Sequence, residues 1–187
     1  KQAVIPLLDD LVECAAAVGA VNTVEMRQGR LIGYNTDKSG FEESLAENLP
    51  GAALDRVLLL GAGGAGSAVA NALLDSGVGQ LTITDLDAAR ADSLAAQLQA
   101  RYGKERIAAA PLALLDSGNT DGIVNTTPMG MASCPGMAIA PESVNARHWV
   151  ADVVYFPLET ELLQLAKARG CRVMDGSGMV IGQAARA

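Results

Sequence analysis

The stretch Arg56-Val57-Leu58-Leu59-Leu60-Gly61-Ala62-Gly63-Gly64-Ala65-Gly66 decides the fold. Val57 to Leu60 form a short continuous apolar run, which is what a strand buried on both faces of a parallel sheet requires. Gly61, Gly63 and Gly66 then match G-x-G-x-x-G, and an Ala-rich segment running to about Asp75 reads as a helix. Strand, glycine loop and helix in that order give the motif its meaning; a glycine triplet alone carries little. The first glycine permits the tight turn, the second lets the backbone approach a pyrophosphate, and the third lets the helix pack on the strand. The loop Gly61 to Gly66, with Ala62, Gly64 and Ala65 between the motif glycines, would present N–H groups and the positive end of the helix dipole to phosphates.

Downstream, Leu81-Thr82-Ile83-Thr84-Asp85 reads as a second strand ending on an acid nineteen residues after Gly66. A carboxylate at that place accepts hydrogen bonds from the adenosine ribose hydroxyls and repels a 2′-phosphate, so Asp85 favours NAD over NADP. Arg90 pulls the other way, because a nearby guanidinium can accommodate a 2′-phosphate. Asp87 reads as the N-cap of the next helix, over 88–101, whose Leu94 and Leu98 share a face. Further strands are expected at 107–109, 122–126, 149–154 and 172–174, with a helix over 159–169 closed by Gly170. Strands alternating with helices predict an α/β fold: a Rossmann-type, doubly wound parallel sheet.

Upstream, residues 3–18 read as a helix with Pro6 near its start and Gly19 at its end. Strands over 20–26 and 31–34 flank a turn at 27–30, and Ser39 is the expected cap of a helix over 40–48. Pro50-Gly51 breaks the chain and marks a boundary. The expected units are 1–50, 51–175 and 176–187, the last being the start of a helix that returns to the first unit. The chain begins without Met and stops at Ala187 within that helix, so it reads as a piece of a longer polypeptide.

Half of the 187 residues are hydrophobic and 19% are charged, a globular rather than a disordered composition. Aromatics make up 3%, so the core must be built from Ala, Val, Leu and Ile. A net charge of −7 argues against a nucleic-acid partner, which needs a basic surface. No apolar run reaches the ~18–20 residues that span a bilayer, so no membrane partner is expected. Cys14, Cys134 and Cys171 are odd in number and widely spaced, which suits a reducing, cytoplasmic compartment and offers no metal-type pair. Oligomeric state is not specified by the sequence; a homodimer stays open.

Five blocks surround the glycine loop in order: Ala20-Val21-Asn22-Thr23-Val24, Gly33-Tyr34-Asn35-Thr36-Asp37, Asn125-Thr126-Thr127-Pro128-Met129-Gly130-Met131, Asp152-Val153-Val154-Tyr155, and Asp175-Gly176-Ser177-Gly178-Met179-Val180-Ile181-Gly182-Gln183-Ala184. Together they resemble the shikimate dehydrogenase family, and in particular its NAD-using quinate/shikimate branch. The resemblance covers essentially the whole chain. It implies that 1–50 is part of a smaller α/β substrate domain with a linking helix, and 51–175 the NAD-binding domain. It implies an enzyme that interconverts a ring hydroxyl and a ketone on quinate or shikimate, with NAD as cofactor and NADP less favoured. Family members use a Lys and an Asp in the substrate cleft. Lys1-Gln2-Ala3-Val4 resembles the tail of the lysine block, which makes Lys1 the catalytic lysine and Asp37 its partner. By the same resemblance Asn22 and Gln183 would hydrogen-bond ring hydroxyls, and Tyr155 would reach the substrate carboxylate. Thr126 and Met179 would lie near the nicotinamide. NADP-using members typically carry an Asn-Arg-Thr-type segment where this chain has Asp85-Leu86-Asp87. The usual Gly-Gly-Gly-Met of the last block is Gly176-Ser177-Gly178-Met179 here, and the N-terminal substrate segment of the family is missing. Two other readings remain open: an NADP-dependent shikimate dehydrogenase of aromatic amino-acid biosynthesis, and a dinucleotide- or quinate-sensing module without catalysis.

Oxidising a secondary alcohol requires removal of the hydroxyl proton as hydride leaves the carbon. A free lysine, with a pKa of about 10.4, is mostly charged at neutral pH, so Lys1 needs desolvation to act as a base. An adjacent Asp favours the ammonium form, so Asp37 is better suited to orienting Lys1 and the same hydroxyl. Without the resemblance, Lys1 reads as a solvated surface lysine and Asp37 equally as a helix N-terminal acid. His148 beside Trp149 reads as structural, and Ser177 has no evident His and acid partners for a nucleophile. Met129, Met131 and Met137 read equally as a flap over the cofactor and as ordinary packing.

Overall fold

A computed structural model describes residues 3–112 and 117–186. At the start of the chain the expected single helix over 3–18 is not formed. A short 3-10 turn at Ile5–Leu7 leads into strand β1 (Asp10–Leu11) and then helix α1 (Glu13–Val18), which Gly19 closes at φ 65°. Helix propensity loses here to strand pairing. Asp9 N–H donates to Leu31 O at 2.9 Å, the Asp9 carboxylate accepts from Leu31 N–H at 2.7 Å, and Val12 N–H donates to Gly33 O at 3.0 Å. Strands β2 (Thr23–Arg27) and β3 (Arg30–Tyr34) form a hairpin, and β1 lies parallel to β3 on its other side. Gln28 and Gly29, at φ 52° and 78°, make the two-residue turn with both centres left-handed, the form that matches strand twist.

Helix α2 (Asp37–Asn48) starts three residues earlier than Ser39 predicts. Asn35, not Ser39, serves the first turn: its Oδ1 accepts from Asp37 N–H at 3.1 Å and Lys38 N–H at 3.4 Å. Ser39 Oγ donates to Thr36 O instead.

Beyond residue 50 the elements are β4 (Arg56–Leu60), α3 (Gly64–Asp75), β5 (Gln80–Thr84), α4 (Ala88–Tyr102), β6 (Ile107–Ala109), β7 (Gly122–Asn125), β8 (Trp149–Asp152), α5 (Glu161–Ala168), β9 (Arg172–Met174) and α6 (Ser177–Arg186). The six strands are parallel in the order β6-β5-β4-β7-β8-β9, the doubly wound arrangement expected. Strands β7 and β8 end earlier than their apolar runs suggest, because Asn125 and Asp152 turn their side chains onto their own loops. Asn125 Oδ1 accepts from Thr127 N–H at 3.1 Å and Asp152 Oδ1 from Val154 N–H at 3.0 Å.

Alternate residues of β4 feed different cores. Val57 and Leu59 pack with Phe41, Val69, Leu73 and Ile83; Leu58 and Leu60 pack with Ile123, Val150 and Leu162. This explains the uninterrupted apolar run, since neither face of the sheet meets water. Helix α2 joins the first of these cores and packs closely on α6: a Cβ on Gly40 would stand 2.7 Å from Met179 O, and one on Gly182 2.9 Å from Gly40 Cα. Strand order reverses between β4 and β7, and a crevice outside the carboxyl ends of these strands is where this topology binds ligands. Among the described residues no helix is long and apolar enough to cross a membrane.

Candidate active site and cofactor loop

The glycine loop leaves the carboxyl end of β4 and enters α3. Gly61 sits at φ 101°, with its N–H on Thr84 O at 2.8 Å. A Cβ on Gly66 would lie 2.1 Å from Gly61 O, which is the close helix–strand approach inferred for the third motif glycine. Among the described residues nothing lies within 4 Å of where a Cβ on Gly63 would be, so the backbone there is open to an incoming group. No side chain caps the N-terminus of α3, whose first N–H groups therefore point outward unclaimed by a cap. A cleft of about 470 Å³ adjoins the loop, lined by Ala62, Gly63, Gly64, Ser67, Arg90 and Gln97 among others. An open glycine backbone, an uncapped helix N-terminus and a strand-end acid together fit a dinucleotide.

Asp85 stands at the tip of β5 and reaches back to the loop. Its Oδ2 accepts from Ala62 N–H at 2.7 Å and its Oδ1 from Asp87 N–H at 2.9 Å. Leu86 is 99% exposed and offers no cation. Asp87 caps α4 through Ala89 N–H, as expected, and its carboxylate lies 3.7 Å from Arg90. Arg90 thus lines the cleft but stands beside a carboxylate, with its side chain 66% exposed.

Thr126 lies under the loop rather than across from it. Its hydroxyl is within hydrogen-bonding distance of Leu60 O (2.8 Å) and Gly61 O (3.0 Å), so its visible work is to hold β7 against the glycine turn.

The helix that follows the first sheet supplies the other acid. Asp37 is buried at the start of α2, at 1% exposure. Asn22 donates one amide hydrogen to Asp37 Oδ1 (2.9 Å) and the other to Thr36 Oγ1 (3.0 Å), while its oxygen accepts from Thr36 N–H (3.1 Å) and Thr23 Oγ1 (3.2 Å). Both donors of Asn22 are therefore committed within the protein, and the residue fixes the Asp37 carboxylate. Lys1 lies outside the described residues. Tyr155 follows β8 and is 56% exposed. Gln183 sits half-buried on α6, where that helix crosses Gly40 of α2. Met179, one helical turn earlier on α6, is buried in the core with Phe41 and Met174.

Asn125 and Asp152 stand within the sequence blocks above without a role that sequence alone gives them. The structure brings them together at the carboxyl ends of β7 and β8. Asp152 Oδ1 accepts from Asn125 Nδ2 at 2.9 Å and Oδ2 from Thr160 Oγ1 at 2.7 Å. Burial pushes the Asp152 carboxyl up to about 6, against the opposing pull of hydrogen bonds from Thr160, Val154 and Asn125.

Comparison with known proteins places these features. The ThiF family model matches residues 45–120, the part that holds the glycine loop and Asp85. A shikimate dehydrogenase (NADP(+)) of Pseudarthrobacter chlorophenolicus is 51% identical over 100% of this chain and 64% of its own length. A quinate/shikimate dehydrogenase (NAD(+)) of Corynebacterium efficiens is 48% identical over 98% of this chain and 66% of its own length. The solved structure of quinate dehydrogenase from Corynebacterium glutamicum in complex with NAD superposes with a TM-score of 0.93. It is 47% identical, over 100% of this chain and 67% of that one. The chain belongs to the shikimate dehydrogenase family. It spans less than two thirds of the length of these curated relatives. Family membership alone does not choose the cofactor, because relatives named for NADP(+) and for NAD(+) match at 51% and 48%.

Proposed function

We propose that this chain carries the cofactor-binding domain and the Lys–Asp pair of an NAD-dependent quinate/shikimate dehydrogenase. The observation that carries the reading is the Asp85 carboxylate, held at the lip of the glycine loop by Ala62 N–H, with a second carboxylate two residues on and the nearby Arg90 beside it. A 2′-phosphate brought there would meet two negative charges, whereas ribose hydroxyls would meet an acceptor. In this reading residues 51–175 form the NAD-binding domain. Residues 1–50 belong to the substrate domain, and 176–187 return towards it. The relative named as an NAD(+) quinate/shikimate dehydrogenase and the NAD complex of quinate dehydrogenase support the substrate and cofactor classes. The three cysteines are all free, which suits the cytoplasm.

NAD, when bound, supplies the hydride acceptor. Lys1 serves as the general acid/base at the reacting hydroxyl, and Asp37 orients Lys1 and that hydroxyl. Asn22, with both its N–H groups committed, contributes by holding Asp37. Tyr155 and Gln183 contact the substrate carboxylate and ring hydroxyls. The phosphates lie on the N–H groups of Gly61 to Gly66.

Initial rates with quinate and shikimate, each with NAD and NADP at equal concentration, test the reading in the full-length protein. NAD is expected to give the higher rate; a higher rate with NADP would instead favour the NADP-dependent shikimate dehydrogenase. Lys1→Ala should abolish turnover and leave NAD affinity nearly intact. Asp85→Ala should weaken NAD binding and narrow the gap to NADP. Binding of NAD and quinate by calorimetry without any change in reduced-nicotinamide absorbance would replace the enzyme with a sensing module.

A further inference from the structure

Asp152 is 1% exposed and lies at the carboxyl end of β8, in the crevice end of the sheet but outside the catalytic pair. A buried carboxylate needs strong compensation from hydrogen-bond donors, because water does not reach it. Its partners come from three places: Asn125 at the end of β7, Val154 in its own loop, and Thr160, the N-cap of α5. All three are neutral donors, and among the described residues no charged side chain acts on this carboxylate.

The chain of bonds continues through Asn125. Its second amide hydrogen goes to Met129 O at 3.0 Å, and its oxygen accepts from Thr127 N–H at 3.1 Å and Thr127 Oγ1 at 2.7 Å. Thr127 Oγ1 in turn accepts from Met129 N–H at 3.2 Å. These bonds admit one orientation of the Asn125 amide, with nitrogen towards Asp152 and oxygen towards Thr127. Gly130, next in the loop, comes so near Thr160 that a Cβ there would stand 3.0 Å from its methyl. Loop 126–131, the β8 loop that carries Tyr155, and the start of α5 are thus fastened at one carboxylate.

We propose that Asp152 is a positioning residue for the nicotinamide side of the cleft, fixing loop 126–131 through Asn125 and the Tyr155 loop through Val154. The inference rests on the dehydrogenase reading for what the loops face, but not for the tie itself. The tie enters the β7 loop at Asn125, Thr127 and Met129, while Thr126 keeps its own bonds to Leu60 O and Gly61 O, and the glycine loop and Asp85 stand on β4 and β5. Its loss should therefore cost turnover rather than cofactor affinity.

Asp152→Asn and Asp152→Ala in the full-length protein separate the cases. The Asn side chain keeps one oxygen for Asn125 and Val154, and its nitrogen can donate to Thr160 Oγ1. The Ala variant strands three donors. Asp152→Ala is expected to speed amide hydrogen exchange in 126–131 and 153–155 but not in 61–66, with no cofactor present. It should lower kcat by about tenfold or more while changing the NAD dissociation constant less than about threefold, since misplacement of reacting groups acts on turnover. Asp152→Asn should restore both. Unchanged exchange in the two loops, equal acceleration in 61–66, or an Asn variant as impaired as the Ala variant would overturn the proposal. Should Asp152→Ala not fold, Asn125→Ala removes the bond between Oδ1 and loop 126–131 while leaving the one to Val154, so exchange should quicken in 126–131 and not in 153–155 or 61–66; unchanged exchange in 126–131 would overturn the proposal. The exchange result stands even if quinate and shikimate are not turned over, so the two readings fail separately.

Discussion

Replacing Gly66 with Ala places a methyl 2.1 Å from Gly61 O and 3.1 Å from Thr126 Oγ1. An ordinary carbon contact lies near 3.5 Å, so the helix and the loop must part by more than roughly 1 Å. Neither side is free to yield. Gly61 N–H is tied to Thr84 O, and the Thr126 hydroxyl sits within 3.0 Å of both Leu60 O and Gly61 O. Overpacking of this kind costs about 1–3 kcal/mol, and the contact here is with rigid backbone, so the upper part of that range applies. Against it stands a helix-propensity gain of about 1 kcal/mol for Gly→Ala. The net expectation is a loss of about 2 kcal/mol, or a fall in Tm of roughly 4–8 °C for a chain of this size. Gly63→Ala is the matched control. Its methyl meets nothing within 4 Å, and its φ of −79° suits any residue. Thermal unfolding should show Gly63→Ala within about 0.5 kcal/mol of the parent, as for an unstrained surface change. Calorimetry should show NAD affinity lost in both variants, in Gly63→Ala because the methyl occupies the approach to the pyrophosphate. A Gly66→Ala variant with unchanged Tm would refute the packing argument. A Gly63→Ala variant that binds NAD like the parent would refute the placement of the phosphates.

Two further perturbations test other parts of the site. Asn22→Ala removes the donor to Asp37 and the acceptor for Thr36 N–H; a loss of about 1–3 kcal/mol in stability and a fall in kcat are expected, with NAD affinity by calorimetry unchanged. Asp152, raised from the ordinary 3.8 to about 6, binds its proton more tightly folded than unfolded. The stability this confers is therefore complete below about pH 4 and is lost as pH rises through 6, a change of about 3 kcal/mol for two units. Denaturant unfolding between pH 4 and 7 should show this slope in the parent and not in Asp152→Asn; parallel curves would refute it.

The fold was legible where a physical demand left a local mark. Val57 to Leu60 are apolar at every position because both faces of β4 are covered, and Gly61 and Gly66 are glycine because nothing larger fits. What stayed hidden depended on partners distant in sequence. Asp10-Leu11 carries no strand pattern of its own; its neighbours' bonds to Leu31 and Gly33 make it one. Asn35 outcompetes Ser39 as the server of α2 because its preceding bond to Ala20 O, at 2.8 Å, fixes where its amide sits. The candidate site divides in the same way. The place of Asp85 beside the glycine loop is legible in its spacing to Gly66. The inward use of Asn22 and the tie between Asn125 and Asp152, 27 residues apart, follow only from three-dimensional contact.

The geometry of Asp85 also bears on how cofactor preference could be changed. Both of its oxygens accept backbone N–H groups, from Ala62 and Asp87. Asp85→Asn removes the charge that repels a 2′-phosphate, but it also turns an NH₂ group towards one of those donors. An N–H facing an N–H costs about 1–3 kcal/mol, so the glycine loop or the turn into α4 must shift. Removing Asp87 brings a second cost, because its carboxylate caps α4 through Ala89 N–H; Thr can replace that cap where Ala cannot. The single change Asp85→Asn is therefore expected to weaken NAD binding by about tenfold without a matching gain for NADP, at 1.4 kcal/mol per decade. Asp85→Asn combined with Leu86→Arg and Asp87→Thr keeps a cap, adds a cation at a position that is fully open to solvent, and removes both carboxylates. Paired titrations with NAD and NADP should show the preference reversed only in the triple variant. Full reversal by Asp85→Asn alone would mean that charge repulsion is the whole basis of selection, and that the bonds from Ala62 and Asp87 have no part in it.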